Sequence, residues 1–524
     1  MMKLSQKNAA FTAVLVSASM LTAKVCGMVR DILLAGMYGT ETVEAIAFST
    51  ASRIPLLFFD IALGTAVTSA FIPIYNEFLG KNQRERATDF SNRFMTLILF
   101  ITTIIAAVGI LFSGTVVKII AGKLGAEQLL LASELVKILF PTIIITGMAY
   151  CMVGVLQSDG EFFIPSIISL VSNALLIVYL AVFGTRFGIY GIAVAMLLAW
   201  CTQILVQIPS LHRLHYRFRL KNPFGDPSIK RVCVLALPII ISAWVQPINS
   251  MININLASGL NDGAAVPALD YANKLYVILV GVFTYTITNL IFPSLSRVAA
   301  LKDSDRFARI VRKSVQYVVF IIAPIMAGFL ILNVPIIRLF YERGAFDAES
   351  TDLTSKALFF YSLGMVGFAI SEIMNKSFYA LQDGKTPMRV SMLSIGINIV
   401  LSLIFILGLH TGLEGLAFSA SLAANLTGFG LLIILHRRVG QILNRPFFVS
   451  MVKIVISVLL MSAGVILTYQ YAESAFGGKW LPLFLPAAVG AMLYVALCAL
   501  LRLQELTDLF QMIKNKVTGG DKLA

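Results

Sequence analysis

The chain has 524 residues, is 58% hydrophobic and carries only 13% charged residues, about half the charged fraction of a soluble globular domain. A mean hydropathy of +0.86 sustained over that length leaves no room for a large water-soluble domain. The net charge of +14 comes from 41 Lys plus Arg against 27 Asp plus Glu, and in so apolar a chain it points to basic cytoplasmic loops and excludes nucleic acid as the partner.

A bilayer-spanning helix needs about 20 mostly apolar residues. Such runs predict an all-α polytopic membrane protein of about fourteen transmembrane helices, at roughly 9–34, 44–75, 94–113, 134–157, 163–184, 188–209, 232–258, 265–296, 314–333, 355–381, 388–409, 413–436, 449–471 and 483–502. The first run is too long for a signal peptide, contains Lys24 and Arg30, and lacks a small-residue cleavage site, so it is read as a helix that stays. Pro55, Pro141, Pro238, Pro247 and Pro324 fall inside runs and are expected to bend them. The basic clusters Lys81–Arg93, Arg213–Arg231, Arg297–Lys313 and Arg437–Arg445 all fall on one side if the N-terminus is cytoplasmic. Both termini are therefore expected in the cytoplasm, and the basic loops can also touch anionic membrane lipid.

The sequence repeats itself. LQSDGEFFIP (156–165) is echoed by LQDGKTP (381–387), Asn173 by Asn398, GIYGIA (188–193) by GLEGLA (412–417), and the stretch from Arg53 to Pro73 by that from Lys274 to Pro293. The parsing that follows is an N-lobe of six helices over 1–209, a basic cytoplasmic loop over 210–231, a C-lobe of six helices over 232–436, and two further helices with a cytoplasmic tail over 437–524. An even number of helices per repeat gives the two lobes one orientation, related by an axis along the membrane normal. Two parallel lobes suit alternating access, and a transporter is expected, not an enzyme.

Several cations lie inside apolar runs, where a charge must face a cavity, a partner or an interface. Lys137 and Lys453 sit near helix ends and are read as snorkelling. Lys24, Arg30, Arg53 and Lys274 lie deeper and are accompanied by acids: Asp31 follows Arg30, Asp60 shares a helix face with Arg53, and Asp270 and Glu372 each precede a lysine, Lys274 and Lys376, by four residues. Two readings stand: local neutralisation that joins helices, or a cationic cavity for an anionic substrate. The repeat favours the cavity, because Arg53 and Lys274 occupy equivalent places in the two lobes and could clamp an anion. Asn249 and Asn253, one helical turn apart, either line that cavity and coordinate a coupling cation or hold helices together. The five cysteines are scattered singly and the four histidines lie at loops or helix ends, so no metal site is expected. The triplet Asp303-Ser304-Asp305 in a basic loop is too short to argue for metal-dependent glycosyl transfer.

The segment AKVCGMVRDILLAGMYG (23–39) resembles the signature of the MurJ (MviN) lipid II flippases, which belong to the multidrug/oligosaccharidyl-lipid/polysaccharide exporter superfamily. AFIP (70–73), ALDYANKLY (268–276), FPSLSR (292–297), RLFYERGAFDAESTDLTSKALFFYSLG (338–364) and FYALQDGKTP (378–387) are similar to that family as well. The resemblance covers nearly the whole chain, including the last two helices. It implies a polyprenyl-diphosphate lipid substrate, lipid II, whose diphosphate rests on Lys24, Arg30 and Lys274 and whose tail runs in a groove formed by the last two helices. Arg30 matches a family cavity arginine, while Lys24 and Lys274 keep the charge and lose the planar fork. The family's arginine pair in the second helix falls on Phe59 and Asp60, so Arg53 is the candidate replacement, and Glu44 is the candidate for an acid near the start of that helix. An Asp-Arg pair of the seventh helix is Asn253-Ile254 here.

The resemblance places the chain in a bacterial cytoplasmic membrane, with membrane lipids around it and the cell-wall synthesis machinery as a further partner class open to it. No cofactor is expected, and a coupling cation or the membrane potential remain alternative energy sources. Two other functions stay open: export of a different polyprenyl-linked glycan, and cation-coupled drug antiport within the same superfamily. A cationic cavity and the two extra helices argue against the antiporter.

Overall fold

The computed structural model of the chain describes residues 6–62, 70–243, 245–475, 478–508 and 511, and every regular element among them is a helix. A helix satisfies its backbone groups within one segment, the requirement lipid imposes on a chain this apolar. Ten of the helices are long and apolar enough to cross a membrane, and an eleventh span arises if the pair Ala348–Ser362 and Met365–Ala380, bent by 48°, counts as one. The count of about fourteen is thus not reproduced by length and apolarity among the described residues. The expected runs 9–34, 44–75 and 232–258 are the ones missing. The first two hold the ionisable residues Lys24, Arg30 and Asp31, and Glu44, Arg53 and Asp60, while the second and third also run through undescribed residues.

The chain forms two compact units. One comprises Met1–Asp270 together with Arg343–Asp347, the other Tyr271–Glu342 together with Ala348–Ala524. The first unit holds α1 (Gln6–Tyr38), α2 (Val43–Ala62), α3 (Ile72–Gly80), α4 (Arg84–Leu111), α5 (Ser113–Ala121), α6 (Ala126–Leu139), α7 (Thr142–Ser158), α8 (Phe163–Phe183), α9 (Gly188–Leu205), α10 (Ile208–Arg213), α11 (Pro227–Ala243) and α12 (Val245–Ala257). Helix α13 (Ala265–Ala300) begins in this unit and continues into the second, which holds α14 (Ser304–Ile331), α15 (Asn333–Phe340), α16 (Ala348–Ser362), α17 (Met365–Ala380), α18 (Lys385–Leu403), α19 (Leu413–Val439), α20 (Arg445–Ala475) and α21 (Leu481–Leu500).

Within the first unit α1 packs along α8, α2 against α6, and α12 against α2 and α5. Pro141 falls between α6 and α7, where its missing N–H interrupts the ladder, and Pro55 lies inside α2. A buried aromatic stack closes one end of the unit, with Phe71 against Phe94 at 4.8 Å and against Phe90 at 5.5 Å between ring centroids. The segment Arg343–Asp347 joins this unit through a hydrogen bond from Ala345 N–H to the Gly36 carbonyl, 2.8 Å.

The connector between α10 and α11 is fixed as a strap along α4. Asn92 donates to the Arg217 carbonyl (3.3 Å) and accepts from the Tyr216 hydroxyl (3.0 Å) and the Arg219 N–H (3.3 Å). Lys221 N–H donates to Thr96 Oγ1 at 3.2 Å, Arg93 donates to the Asn222 carbonyl at 2.7 Å, and the Lys221 ammonium pairs with Asp89. Positions 89, 92, 93 and 96 recur at helical spacing, so a single face of α4 grips the strap.

In the second unit α17 and α19 approach closely because they present glycines. A Cβ on Gly367 would lie 2.4 Å from the Asn425 Cα, and one on Gly428 would lie 2.2 Å from the Gly367 carbonyl oxygen. Small residues at a crossing are how membrane helices bring their backbones into contact. The loop joining α20 and α21 is tied to α15: Glu342 receives Lys479 at 3.3 Å and Arg338 at 3.5 Å.

The repeated turn motif is built differently in its two copies. Asp383 accepts from the Lys385 and Thr386 N–H groups, both at 3.1 Å, from the Thr386 hydroxyl at 2.7 Å and from Arg438 at 2.5 Å. The Thr386 bonds above all, with Arg438 behind them, hold its carboxyl at about 2. Its counterpart Asp159 has Arg84 at 3.2 Å, and burial pushes its carboxyl above the usual range against that attraction. Glu161 takes over the cap, accepting from the Phe163 N–H at 3.0 Å. Asp383→Ala is therefore expected to cost about 1 kcal/mol and lower Tm, whereas Asp159→Asn should leave Tm unchanged or raise it, because it removes a half-buried charge. The Asp383 contribution is complete above its ordinary value of 3.8 and is lost as pH falls through about 2. Thermal unfolding of the two variants at neutral pH checks this, and equal losses would contradict it.

Candidate functional site

Helix α1 carries the centre of the site. Its Arg30 is about one-quarter exposed and Asp31 is buried, with side chains at 23% and 6% exposure. Arg30 donates to Asp31 Oδ1 from Nε at 3.0 Å and from Nη2 at 2.7 Å, and from Nη1 to Asn173 Oδ1 at 2.9 Å. Asn173 belongs to α8, and its Nδ2 is 3.4 Å from both the Ala23 carbonyl and Ser169 Oγ. The guanidinium is therefore held from two helices, which fixes its plane while part of it stays accessible. Lys24 is exposed on the same helix.

Arg53 in α2 forms an ion pair with Asp270 at the start of α13, with side-chain exposures of 31% and 14%. The sequence offered Asp60 as the acid for Arg53 and Lys274 as the cation for Asp270. The Asp60 side chain lies outside the described residues, and the acid found on Arg53 is Asp270, 217 positions away. Lys274 is half-buried in α13, and Glu44 is half-buried in the first turn of α2.

In α12, Asn253 Nδ2 is 3.5 Å from Asn249 Oδ1, a bond within one helix, and Asn249 is buried. Their neighbour Asn255 donates to the Ile119 carbonyl of α5 at 3.2 Å, so this helix uses amides for helix–helix cohesion. Lys376 in α17 lies over the Phe292 ring, 5.5 Å from its centroid, and Glu372 is half-buried one turn before it. Lys453 donates to the Leu501 carbonyl at 2.8 Å, capping the end of α21. Among the described residues no group of three or more His, Cys, Asp or Glu side chains could hold a metal ion.

Sequence reasoning missed the role of Asn173. Its echo at Asn398 marked it as part of the repeat, but Asn398 accepts from Ser402 at 3.1 Å and grips no arginine among the described residues.

The family profile described as "Lipid II flippase MurJ" matches residues 34–489. The chain is similar to a probable lipid II flippase MurJ of Vibrio cholerae, 28% identical over 425 residues that cover 79% of this chain and 80% of that protein. It is also similar to the lipid II flippase MurJ of Burkholderia cenocepacia, 27% identical over 433 residues covering 81% and 83%. Among solved structures it shares its fold with a lipid II flippase MurJ in an inward closed conformation, at a TM-score of 0.79, 23% identity and coverage of 93% and 98%. An inward-facing multidrug resistance transporter of the MATE family shares it more distantly, at a TM-score of 0.67, 14% identity and coverage of 82% and 98%. The profile spans most of the helices, including the one that carries Lys274, and the chain is a multi-pass membrane protein that belongs to the lipid II flippase MurJ family.

Proposed function

We propose that this chain flips lipid II, carrying the undecaprenyl-diphosphate-linked disaccharide-pentapeptide from the inner to the outer leaflet of the bacterial cytoplasmic membrane by alternating access. The observation that carries the reading is the family match over residues 34–489. The chemistry agrees with it: a diphosphate is a compact anion that a fixed guanidinium fork can take through charge-assisted hydrogen bonds. We assign the diphosphate to Lys24, Arg30 and Lys274, with Asp31 and Asn173 holding Arg30 in place. Arg53 is paired with Asp270 across two helices, and in this reading that pair joins α2 to α13 and does not clamp substrate. Lys376, over the Phe292 ring, and Asn255, on the Ile119 carbonyl, are helix-joining groups here. Both termini lie in the cytoplasm, where the basic clusters gather, and the energy comes from a coupling cation or the membrane potential.

A second reading is export of another polyprenyl-linked glycan. It is favoured by Phe59 and Asp60, which stand where the resemblance implies an arginine pair. The deciding experiment depletes the lipid II flippase of a bacterial host, expresses this chain, and measures lipid II exposed on the outer leaflet. Restored exposure supports the flippase, and none, with folded protein in the membrane, supports the other glycan.

A further inference from the structure

The strap along α4 covers a cavity of about 540 Å³ in the first unit. Three acids and four cations line it: Glu85, Asp89 and Asp159, against Arg84, Arg217, Arg219 and Lys221. Asp89 is engaged by Arg93 and Lys221, and Asp159 by Arg84. Arg217 and Arg219 make no ion pair among the described residues, while the backbone that carries them is pinned through Asn92. The remaining acid, Glu85, is exposed. The cavity thus presents two guanidinium groups on a fixed backbone with their charge unspent.

The strap that carries these cations also exposes apolar side chains. Leu220 and Phe224 of the strap are 69% and 68% exposed, and Phe224 meets Phe100 of α4 edge-on, at 6.3 Å between centroids. Phe100 is itself 52% exposed on a helix apolar enough to span a membrane. An exposed apolar strip that runs from a spanning helix onto a basic segment is the pattern of a bilayer interface, with aromatic groups at headgroup depth and Arg or Lys beside the phosphates.

We propose that this cavity binds the headgroup of an anionic membrane phospholipid, its phosphate taken by Arg217 and Arg219 and its acyl chains lying along Leu220, Phe224 and Phe100. In the orientation proposed above the lipid belongs to the inner leaflet, and the site does not depend on which glycan is transported. The volume lies in the range of small-molecule pockets. It suits a phosphoglycerol head and not a disaccharide bearing a pentapeptide.

The test uses the full-length protein in nanodiscs, where both leaflets are present and orientation has no influence. Phosphatidylglycerol is titrated into phosphatidylcholine, and lipid retained on the protein after detergent release is counted by native mass spectrometry. Wild type should retain phosphatidylglycerol over phosphatidylcholine, and Arg217→Gln/Arg219→Gln should weaken that retention roughly tenfold or more. Arg306→Gln/Arg309→Gln, in a different basic cluster, should retain it as wild type does. A Tm equal to wild type shows that the strap variant is folded, as the Asn92 contacts made by Tyr216 and by the strap backbone are untouched. Equal retention by wild type and strap variant overturns the site. Displacement of the bound lipid by an undecaprenyl diphosphate at lower concentration than by phosphatidylglycerol overturns the phospholipid assignment.

Discussion

Arg30→Ala lowers outer-leaflet exposure of lipid II by roughly 10- to 100-fold, the loss expected when about 1.5–3 kcal/mol of charged hydrogen bonding to a diphosphate disappears. Two causes could produce that result, and the geometry separates them. Asp31 is buried and takes two of the Arg30 N–H groups, so alanine at position 30 also leaves a buried carboxylate without its arginine, a destabilising change in its own right. If Arg30 only neutralises Asp31, the double variant Arg30→Ala/Asp31→Ala regains exposure of lipid II. If Arg30 binds the diphosphate, the double variant stays inactive although it folds. The second outcome is expected. Arg30→Lys should fall between wild type and alanine, because an ammonium keeps the charge but cannot bond Asp31 and Asn173 in one plane. Asn173→Leu should behave like Arg30→Lys, since it frees Nη1 without removing the cation. Lys274→Ala should lose exposure as Arg30→Ala does, with membrane-inserted yield unchanged. Wild-type transport by both alanine variants would remove the cationic assignment.

What could be read from the sequence divides along the range of the interactions. Apolar runs of spanning length gave helices in place, as at 163–184, realised as Phe163–Phe183, and 413–436, realised within Leu413–Val439. Contacts made within a turn were also legible: Asp31 beside Arg30 is an ion pair. Partners distant in sequence were not. Arg53 sees Asp60 on its own helix face, and nothing local announces Asp270. Asn173 is one polar residue in an apolar helix, and only a fold that lays α8 on α1 turns it into a grip on Arg30. The strap was legible as a basic loop, because Lys and Arg mark a cytoplasmic side, but its attachment rests on Asn92 and Thr96, polar residues near one end of a run otherwise read only for hydropathy. The bend between α16 and α17 escaped too, since run 355–381 is uninterrupted in hydropathy.

The Arg53–Asp270 pair yields the other large effect. Asp270→Ala is expected to cost about 2 kcal/mol, below the usual range for splitting a buried pair because Arg53 is 31% exposed. Thermal unfolding in a fixed detergent should register this as a fall of about 2 °C. The double variant Arg53→Ala/Asp270→Ala should recover part of the loss, because no charge is then left buried without its partner. Two independent losses that simply add would rule out the coupling. The same double variant decides what Arg53 does in transport. Arg53 and Asp270 tie α2 to α13, so taking Arg53 for a phosphate would break a helix–helix contact at the substrate's expense, whereas Asp31 is Arg30's neighbour in α1 and holds it in place. Lipid II exposure by the double variant should therefore stay within about threefold of wild type, a margin of less than 1 kcal/mol. A loss as deep as that of Arg30→Ala would instead place Arg53 on the diphosphate, as a cation that leaves Asp270 when substrate arrives.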